Sequence, residues 1–180
     1  MGFRSGALLF AVSFLLGVQF MNFNIDYRLL FVELNNETFE DAFTYYATFY
    51  NAPIGVRALL HAVMGVGLIS IFAKLHKWDE SAVFFDGSSL FLYCAALVIY
   101  IAVSIGGLQT SVAPLAHETL DLRQEAMRVF AAANVLIVGC LLGVLLMQAG
   151  QEYVRRQSEK AIQEYDAAQN AKAAQEKKEQ

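Results

Sequence analysis

The chain has 180 residues, of which 57% are hydrophobic and 17% charged, and its formal net charge is -4. That length suits one domain and that composition belongs to membrane proteins. The basic residues are scattered over separate polar segments, which leaves no nucleic-acid footprint, and Cys94 and Cys140 both lie inside apolar runs, so neither a disulfide framework nor a thiolate site is implied.

The first apolar run, residues 5–25, holds 21 residues without a charge. A helix rising 1.5 Å per residue needs roughly 20 of them to cross the hydrocarbon core. Arg4 precedes the run as in a signal peptide, but the run is too long and no small-x-small cleavage site ends it, so it reads as an uncleaved signal-anchor. Residues 24–57 then carry five acids against two arginines. Within them Phe39, Phe43, Tyr46 and Tyr50 recur at helical spacing while Glu37, Glu40, Asp41 and Thr44 fall on the other face. This predicts an amphipathic helix with Asn35 or Asn36 as N-cap, stopped by Pro53, that either lies along the membrane surface or packs on the span ends.

The second span has 16 uncharged residues at 58–73. It lengthens to 54–73 with residues from Ile54, while Arg57 and Lys74 snorkel to the interfaces. The third uncharged run, 87–116, has 30 residues interrupted late by Gly106-Gly107 and Pro114, which predicts a helix over 88–109. The fourth, 129–151, has 23. Residues 152–180 turn to Glu, Gln, Lys and Ala and predict a charged tail, a helical extension that frays. The expected fold is therefore an all-α membrane protein: a four-helix transmembrane domain over residues 1–151 (spans 5–25, 54–73, 88–109 and 129–151), followed by a charged cytoplasmic tail over 152–180.

Four spans put both termini on one side. That side holds Arg4, Lys74, Lys77, Arg155, Arg156, Lys160, Lys172, Lys177 and Lys178, nine basic residues against four (Arg28, Arg57, Arg123 and Arg128) on the other. Basic loops stay inside, so both termini are expected in the cytoplasm and the amphipathic helix between helices 1 and 2 in the lumen. Asn36-Glu37-Thr38 is a sequon on that lumenal side, which makes Asn36 a candidate glycosylation site. The chain ends Lys177-Lys178-Glu179-Gln180, which resembles the dilysine signal read by the retrieval coat, so Lys177 and Lys178 form a candidate retrieval signal for the endoplasmic reticulum.

No Asp, Glu, Lys or Arg lies within the four uncharged runs. His61, close to one end of the second, favours an interfacial or hydrogen-bonded structural role over a proton relay. His76 and His117 fall on opposite sides of the membrane, so no metal cluster is expected, nor is any catalytic residue or cofactor. The spans instead carry small and mildly polar residues: Gly139 and Gly143 form a GxxxG with Ala131 and Val135 on the same line, Ser13 and Gly17 repeat the spacing, and His61 shares a face with Gly65. Such positions let helix backbones approach, and Asn134, Ser104 and Gln148 have the chemistry to hydrogen-bond across an interface. Gly17, His61, Gly65, Asn134, Gly139 and Gly143 are therefore the candidate helix-packing or client-contact residues. The stretch 59–69 is a candidate gripping surface, and 74–86 a short strap between spans two and three.

Several motifs in order carry a family resemblance: Leu16-Gly17, Asp26-Tyr27-Arg28-Leu29-Leu30-Phe31, Phe39, Tyr45-Tyr46, Pro53, Gly65-Val66-Gly67-Leu68-Ile69, the turn from Lys74 to Asp86, and Gly106-Gly107-Leu108. Together they resemble the fungal secretory-component family, packaging chaperones of the endoplasmic reticulum dedicated to amino-acid permeases. The resemblance implies a multi-pass protein of that membrane, not an enzyme, whose spans shield new permease helices and whose tail couples them to exit-vesicle coat proteins. The implied partners are amino-acid permeases, exit-vesicle coat proteins, the retrieval coat and membrane lipid, with no nucleic acid. The tail at 152–180 is shorter than the charged one the resemblance leads us to expect. Rival readings are a small tetraspan transporter or channel subunit, or a structural subunit of a larger membrane complex.

Overall fold

Helices form every element of the computed structural model, which describes residues 2–32, 35–76 and 80–179; for 80–82 and 171–179 it describes the backbone alone. In order they are α1 (Phe3–Phe31), α2 (Asn36–Tyr50), α3 (Ile54–Leu75), α4 (Glu80–Ile99), a π-helical segment (Tyr100–Ser104), α5 (Ile105–Val112) and α6 (Leu120–Glu179). Among the described residues four helical rods are long and apolar enough to cross a membrane: α1, α3, the continuous rod made of α4, the π segment and α5, and α6. The protein is an all-α membrane fold, as its apolar runs predict.

The helices outrun those apolar runs. With 29 residues, α1 spans about 43 Å at 1.5 Å per residue against a hydrocarbon core of about 30 Å. Its last turns therefore carry Asp26 and Arg28 beyond the predicted boundary. The glycine pair does not break the third rod: a Cβ on Gly107 would stand 3.3 Å from Phe130 Cβ, so the glycine lets α5 lie close against α6. Past residue 151, α6 continues unbroken to Glu179.

Why α2 forms is clear from its first turn. The Asn35 side chain accepts a hydrogen bond from the Thr38 backbone N–H at 2.7 Å and another from the Thr38 hydroxyl at 2.8 Å, capping the helix start. Phe39, Ala42, Phe43 and Tyr46 are buried while Glu37, Glu40, Asp41 and Thr44 are exposed, so the amphipathic face packs on the bundle. Arg28 and Asp41 pair at 2.8 Å across the α1–α2 corner.

The core lies along α6, whose buried residues Met127, Phe130, Ala131, Asn134, Ile137, Leu141, Val144 and Gln148 recur at alternating steps of about three and four, the seam of a left-handed bundle. One buried cluster joins Leu8, Val12 and Leu15 of α1, Ile71 of α3 and Tyr93 of α4 to the middle of α6. A second joins Leu29, Phe39, Phe43 and Tyr46 to Met127 and Phe130. The bundle end holding the amino terminus and the α3–α4 connection is called the connection end below; the opposite one, capped by α2, is the α2 end. Of the strap predicted between spans two and three, Lys77, Trp78 and Asp79 lie outside the described residues.

Candidate functional site

At the connection end, Lys74 of α3 meets Asp86 of α4 at 2.8 Å, with the carboxylate side chain 2% exposed. A buried charge pair persists only when its remaining donors and acceptors are satisfied, and here they are. Gln148 Nε2 donates to Asp86 Oδ1 at 3.1 Å and to Ser89 Oγ at 2.9 Å. Gln151 Nε2 donates to Asp86 Oδ2 at 3.0 Å, and Lys74 Nζ donates to Gln151 Oε1 at 2.7 Å and to Gln148 Oε1. Arg4 of α1 donates to the Ala73 carbonyl beside them. Four rods are thus pinned together at one level.

At the α2 end the polar contacts centre on Asp26, 1% exposed. Its Oδ1 accepts from the Tyr46 hydroxyl at 2.5 Å and its Oδ2 from Asn134 Nδ2 at 2.9 Å, which also reaches Tyr46 Oη at 3.3 Å. Burial, and next the adjacent Asp26 carboxylate, push the Tyr46 hydroxyl well above its ordinary value of 10.0, so it remains a proton donor. Its ring meets Phe130 edge-on at 4.6 Å. This network ties α1, α2 and α6 together but does not include α3.

Toward the α2 end, residues of α1, α2, α3, the third rod and α6 surround a partly open cavity of about 390 Å³. That exceeds a packing defect of the kind left by one deleted side chain, about 150 Å³. Its apolar lining includes Leu15 and Val18 of α1, Phe49 of α2, Leu60 and Met64 of α3, Leu97 and Leu108 of the third rod and Ile137 and Leu141 of α6; the polar side chains lining it include Gln19, His61, Ser104 and Asn134. His61 Nδ1–H donates to the Arg57 carbonyl at 2.7 Å, which leaves Nε2 as an acceptor, 3.3 Å from the Tyr100 hydroxyl across the opening. Ser104 is 3% exposed and its hydroxyl has no hydrogen-bond partner. The arrangement is a partly open groove in the membrane domain, apolar over most of its lining and carrying polar side chains at a few points.

Comparison with known proteins decides the class. The family model described as an ER membrane protein, SH3, matches residues 1–180. The chain belongs to the SHR3 chaperone family. It is 28% identical over 178 residues to the secretory component protein psh3 of Schizosaccharomyces pombe, a match covering 94% of this chain and 80% of that protein. No solved structure matches. Membership in this family, with four membrane-spanning rods, makes the protein a multi-pass secretory chaperone of the endoplasmic reticulum membrane; the family is one of chaperones rather than enzymes.

Within this SHR3-family bundle the six residues singled out for helix packing separate. Asn134 is buried in the Asp26 network. Gly143 packs under Leu92, whose Cδ1 would stand 2.8 Å from a Cβ there. His61 lines the groove, as do Leu59, Leu60 and Met64 from the predicted gripping stretch. Around Gly17, Gly65 and Gly139 nothing lies within 4 Å of where a Cβ would be, so none of them brings two helices of this chain together. The close approach on α3 falls instead at Gly67, where the Tyr93 hydroxyl occupies the space a side chain would need while donating to the Met64 carbonyl at 2.9 Å. Asn36 is the exposed first residue of α2. Lys177 and Lys178 fall within the α6 backbone, and their side chains lie outside the described residues.

Sequence reasoning missed Asp26, Lys74 and Asp86 because each stands just outside an uncharged run. A signal for Asp26 exists in retrospect. Leu8, Val12, Leu15, Asn22, Asp26 and Leu29, all buried, advance by helical steps along one stripe of α1, and an acid on a buried stripe needs a partner. On α4, Asp86, Ser89, Tyr93 and Ala96 make the same pattern.

Proposed function

We propose that this protein is a membrane chaperone for amino-acid permeases, covering their newly inserted helices until the client bundle closes and helping to pass them into exit vesicles. The observation that carries the reading is the partly open groove toward the α2 end of the membrane domain, lined by leucines together with a few hydrogen-bonding groups. Permease helices carry polar groups and breaks that lipid cannot satisfy. A surface that covers them with a few hydrogen bonds, each worth well under 2 kcal/mol in a membrane, holds a client without trapping it. The resemblance to the secretory-component family and the name of the Schizosaccharomyces pombe relative support the secretory half of the reading.

In this reading the connection end and the tail face the cytoplasm and α2 faces the lumen, by nine basic residues against four. The tail of α6 then recruits exit-vesicle coat proteins, Lys177 and Lys178 return the empty chaperone through the retrieval coat, and Asn36 is open to glycosylation. A reporter fused after Gln180 is expected in the cytoplasm; a lumenal reporter overturns the orientation and every tail assignment with it. The function is tested by deleting the protein and following a permease. Expected are permease aggregates in the endoplasmic reticulum and lost amino-acid uptake, whereas normal delivery sinks the proposal. Substrate flux through proteoliposomes containing this protein alone would favour a transporter instead.

A further inference from the structure

Ser158 is the single serine or threonine of residues 152–180, and it closes the sequence Arg155-Arg156-Gln157-Ser158. Among all the serines and threonines of the chain it alone has an arginine three residues before it. One broad class of serine/threonine kinases lines its substrate cleft with carboxylates that read basic groups just before the acceptor, because guanidinium and carboxylate pair through a fork of two hydrogen bonds. The structure presents this motif accessibly. Every side chain from Tyr153 to Asn170 is exposed, so this stretch of α6 leaves the bundle as a solitary helix. Ser158 follows Gln151, the last member of the sealed network, by seven residues. It therefore stands about 10 Å further along the axis, clear of a headgroup layer about 5–8 Å deep.

The two arginines touch only acids of their own helix among the described residues. Arg155 pairs with Glu152 at 2.8 Å and with Glu159 at 3.1 Å, and Arg156 with Glu152 at 2.8 Å. Solvent-facing pairs of this kind contribute little and exchange partners readily, which leaves both guanidinium groups available to a kinase. A kinase cleft also takes its substrate extended, and a helix without neighbours opens locally with no loss of tertiary packing. Ser70, Ser89, Ser104 and Ser111, by contrast, are buried in the bundle.

We propose that Ser158 is a phosphorylation site for a serine/threonine kinase with a carboxylate-lined cleft, and that its phosphate reverses the charge of α6 where the helix leaves the bundle. The site goes beyond the chaperone reading but rests on the orientation that puts the tail in the cytoplasm, where kinase and nucleoside triphosphate meet it. In the transfer the Ser158 hydroxyl oxygen bonds to the γ-phosphorus of the nucleoside triphosphate and the bond from that phosphorus to the β–γ bridging oxygen breaks. The hydroxyl proton passes to the carboxylate base of the kinase, and the nucleoside diphosphate leaves. Residues 152–160 set Arg155, Arg156 and Lys160 against Glu152 and Glu159, a net charge of +1. A phosphate of about −2 turns that to about −1. The dianion lies one helical turn from Arg155 and competes with Glu152 and Glu159 for its guanidinium. Over 152–180 six basic residues balance six acidic ones, so the tail as a whole goes from neutral to about −2.

The test takes the full chain in detergent with ATP and, as probe, the catalytic subunit of the cyclic-AMP-dependent kinase, a member of that class. A single phosphate is expected, assigned to Ser158 by mass spectrometry. Arg155→Gln and Arg156→Gln should each slow its addition about tenfold or more, the worth of one charge-assisted contact, while Lys160→Gln should leave the rate unchanged. All three positions are exposed, so the fold is not at stake. Phosphate placed on another residue, no phosphate, or a rate indifferent to both arginines overturns the site and leaves the orientation and the chaperone reading standing. In sealed microsomes, labelling by kinase added outside is expected; labelling only after detergent opens them puts the tail in the lumen and overturns the orientation and the site together. Chain recovered from cells with phosphatases inhibited should carry the phosphate at Ser158 on part of its copies, and an unmodified Ser158 there overturns the proposal.

Discussion

The two ends of the bundle use polar chemistry in opposite ways. At the connection end a charge pair, two amides and a hydroxyl satisfy one another and pin the rods at one level. At the α2 end a carboxylate, a phenol and an amide draw together α1, α2 and α6, and the first half of α3, nearly all exposed from Ile54 to His61, stands apart. The difference teaches where a chaperone bundle holds itself and where it opens. An ion pair at low dielectric tolerates no slack, so the sealed end fixes α3 beside α4 and lets the same two rods diverge at the other end without coming apart.

The comparison is broken most severely by stranding one charge. Lys74→Met leaves Asp86 buried and unpaired, which is expected to destabilise the protein by about 3–5 kcal/mol, read as a lowered unfolding midpoint in detergent. Lys74→Met combined with Asp86→Leu should recover much of that loss, while a double variant as unstable as the single one would show that the pair's geometry, not its charge balance, holds the end.

Loss of the opposing network should be milder and more local. Asp26→Leu strands the Tyr46 hydroxyl and the Asn134 amide, at about 1–3 kcal/mol, and should loosen α2 while leaving the connection end intact. Hydrogen exchange checks this: faster exchange across Asn36–Tyr50 with unchanged protection around Ile71 is expected, and uniform loss would mean that the two ends are one cooperative unit.

Next in size are the glycines. Gly67→Val drives a side chain into the Tyr93 hydroxyl and should cost roughly 1–3 kcal/mol. Gly139→Val meets nothing within 4 Å, so it should leave the unfolding midpoint where it is. A loss of client handling in Gly139→Val with stability unchanged would mark that outer face as a second contact surface.

The smallest effect lies past the sealed end. The guanidinium groups of Arg156 and then Arg155 hold the half-buried Glu152 carboxyl below its ordinary value of 4.5. A depressed folded-state value stabilises the helix above that ordinary value, and the contribution is lost as pH falls through the lower one. Helicity of the α6 extension should therefore be flat from neutrality to about pH 5 and fall only under stronger acid, with high salt reducing the change. Glu152→Gln should make it vanish.

The sequence by itself determined the frame. Apolar runs long enough to cross a bilayer placed α1, α3, the third rod and α6, because backbone hydrogen bonding in lipid leaves a helix no alternative. The spacing of Phe39, Phe43 and Tyr46 and an asparagine cap at Asn35 or Asn36 placed α2 for equally local reasons, and ordered motifs from Leu16 to Leu108 pointed to the family. Tertiary structure alone decided which polar groups meet. Asp26 and Asn134 are 108 residues apart in the chain, and Lys74 reaches Gln151 across 77. Those pairings depend on rod rotation, which hydropathy does not encode, and for the same reason small-residue spacing pointed to Gly65 where Gly67 makes the close approach. The groove is the clearest case. Ser104 was legible as a polar residue in an apolar rod, but that its hydroxyl is buried without a partner at the end of a π turn is decided by packing.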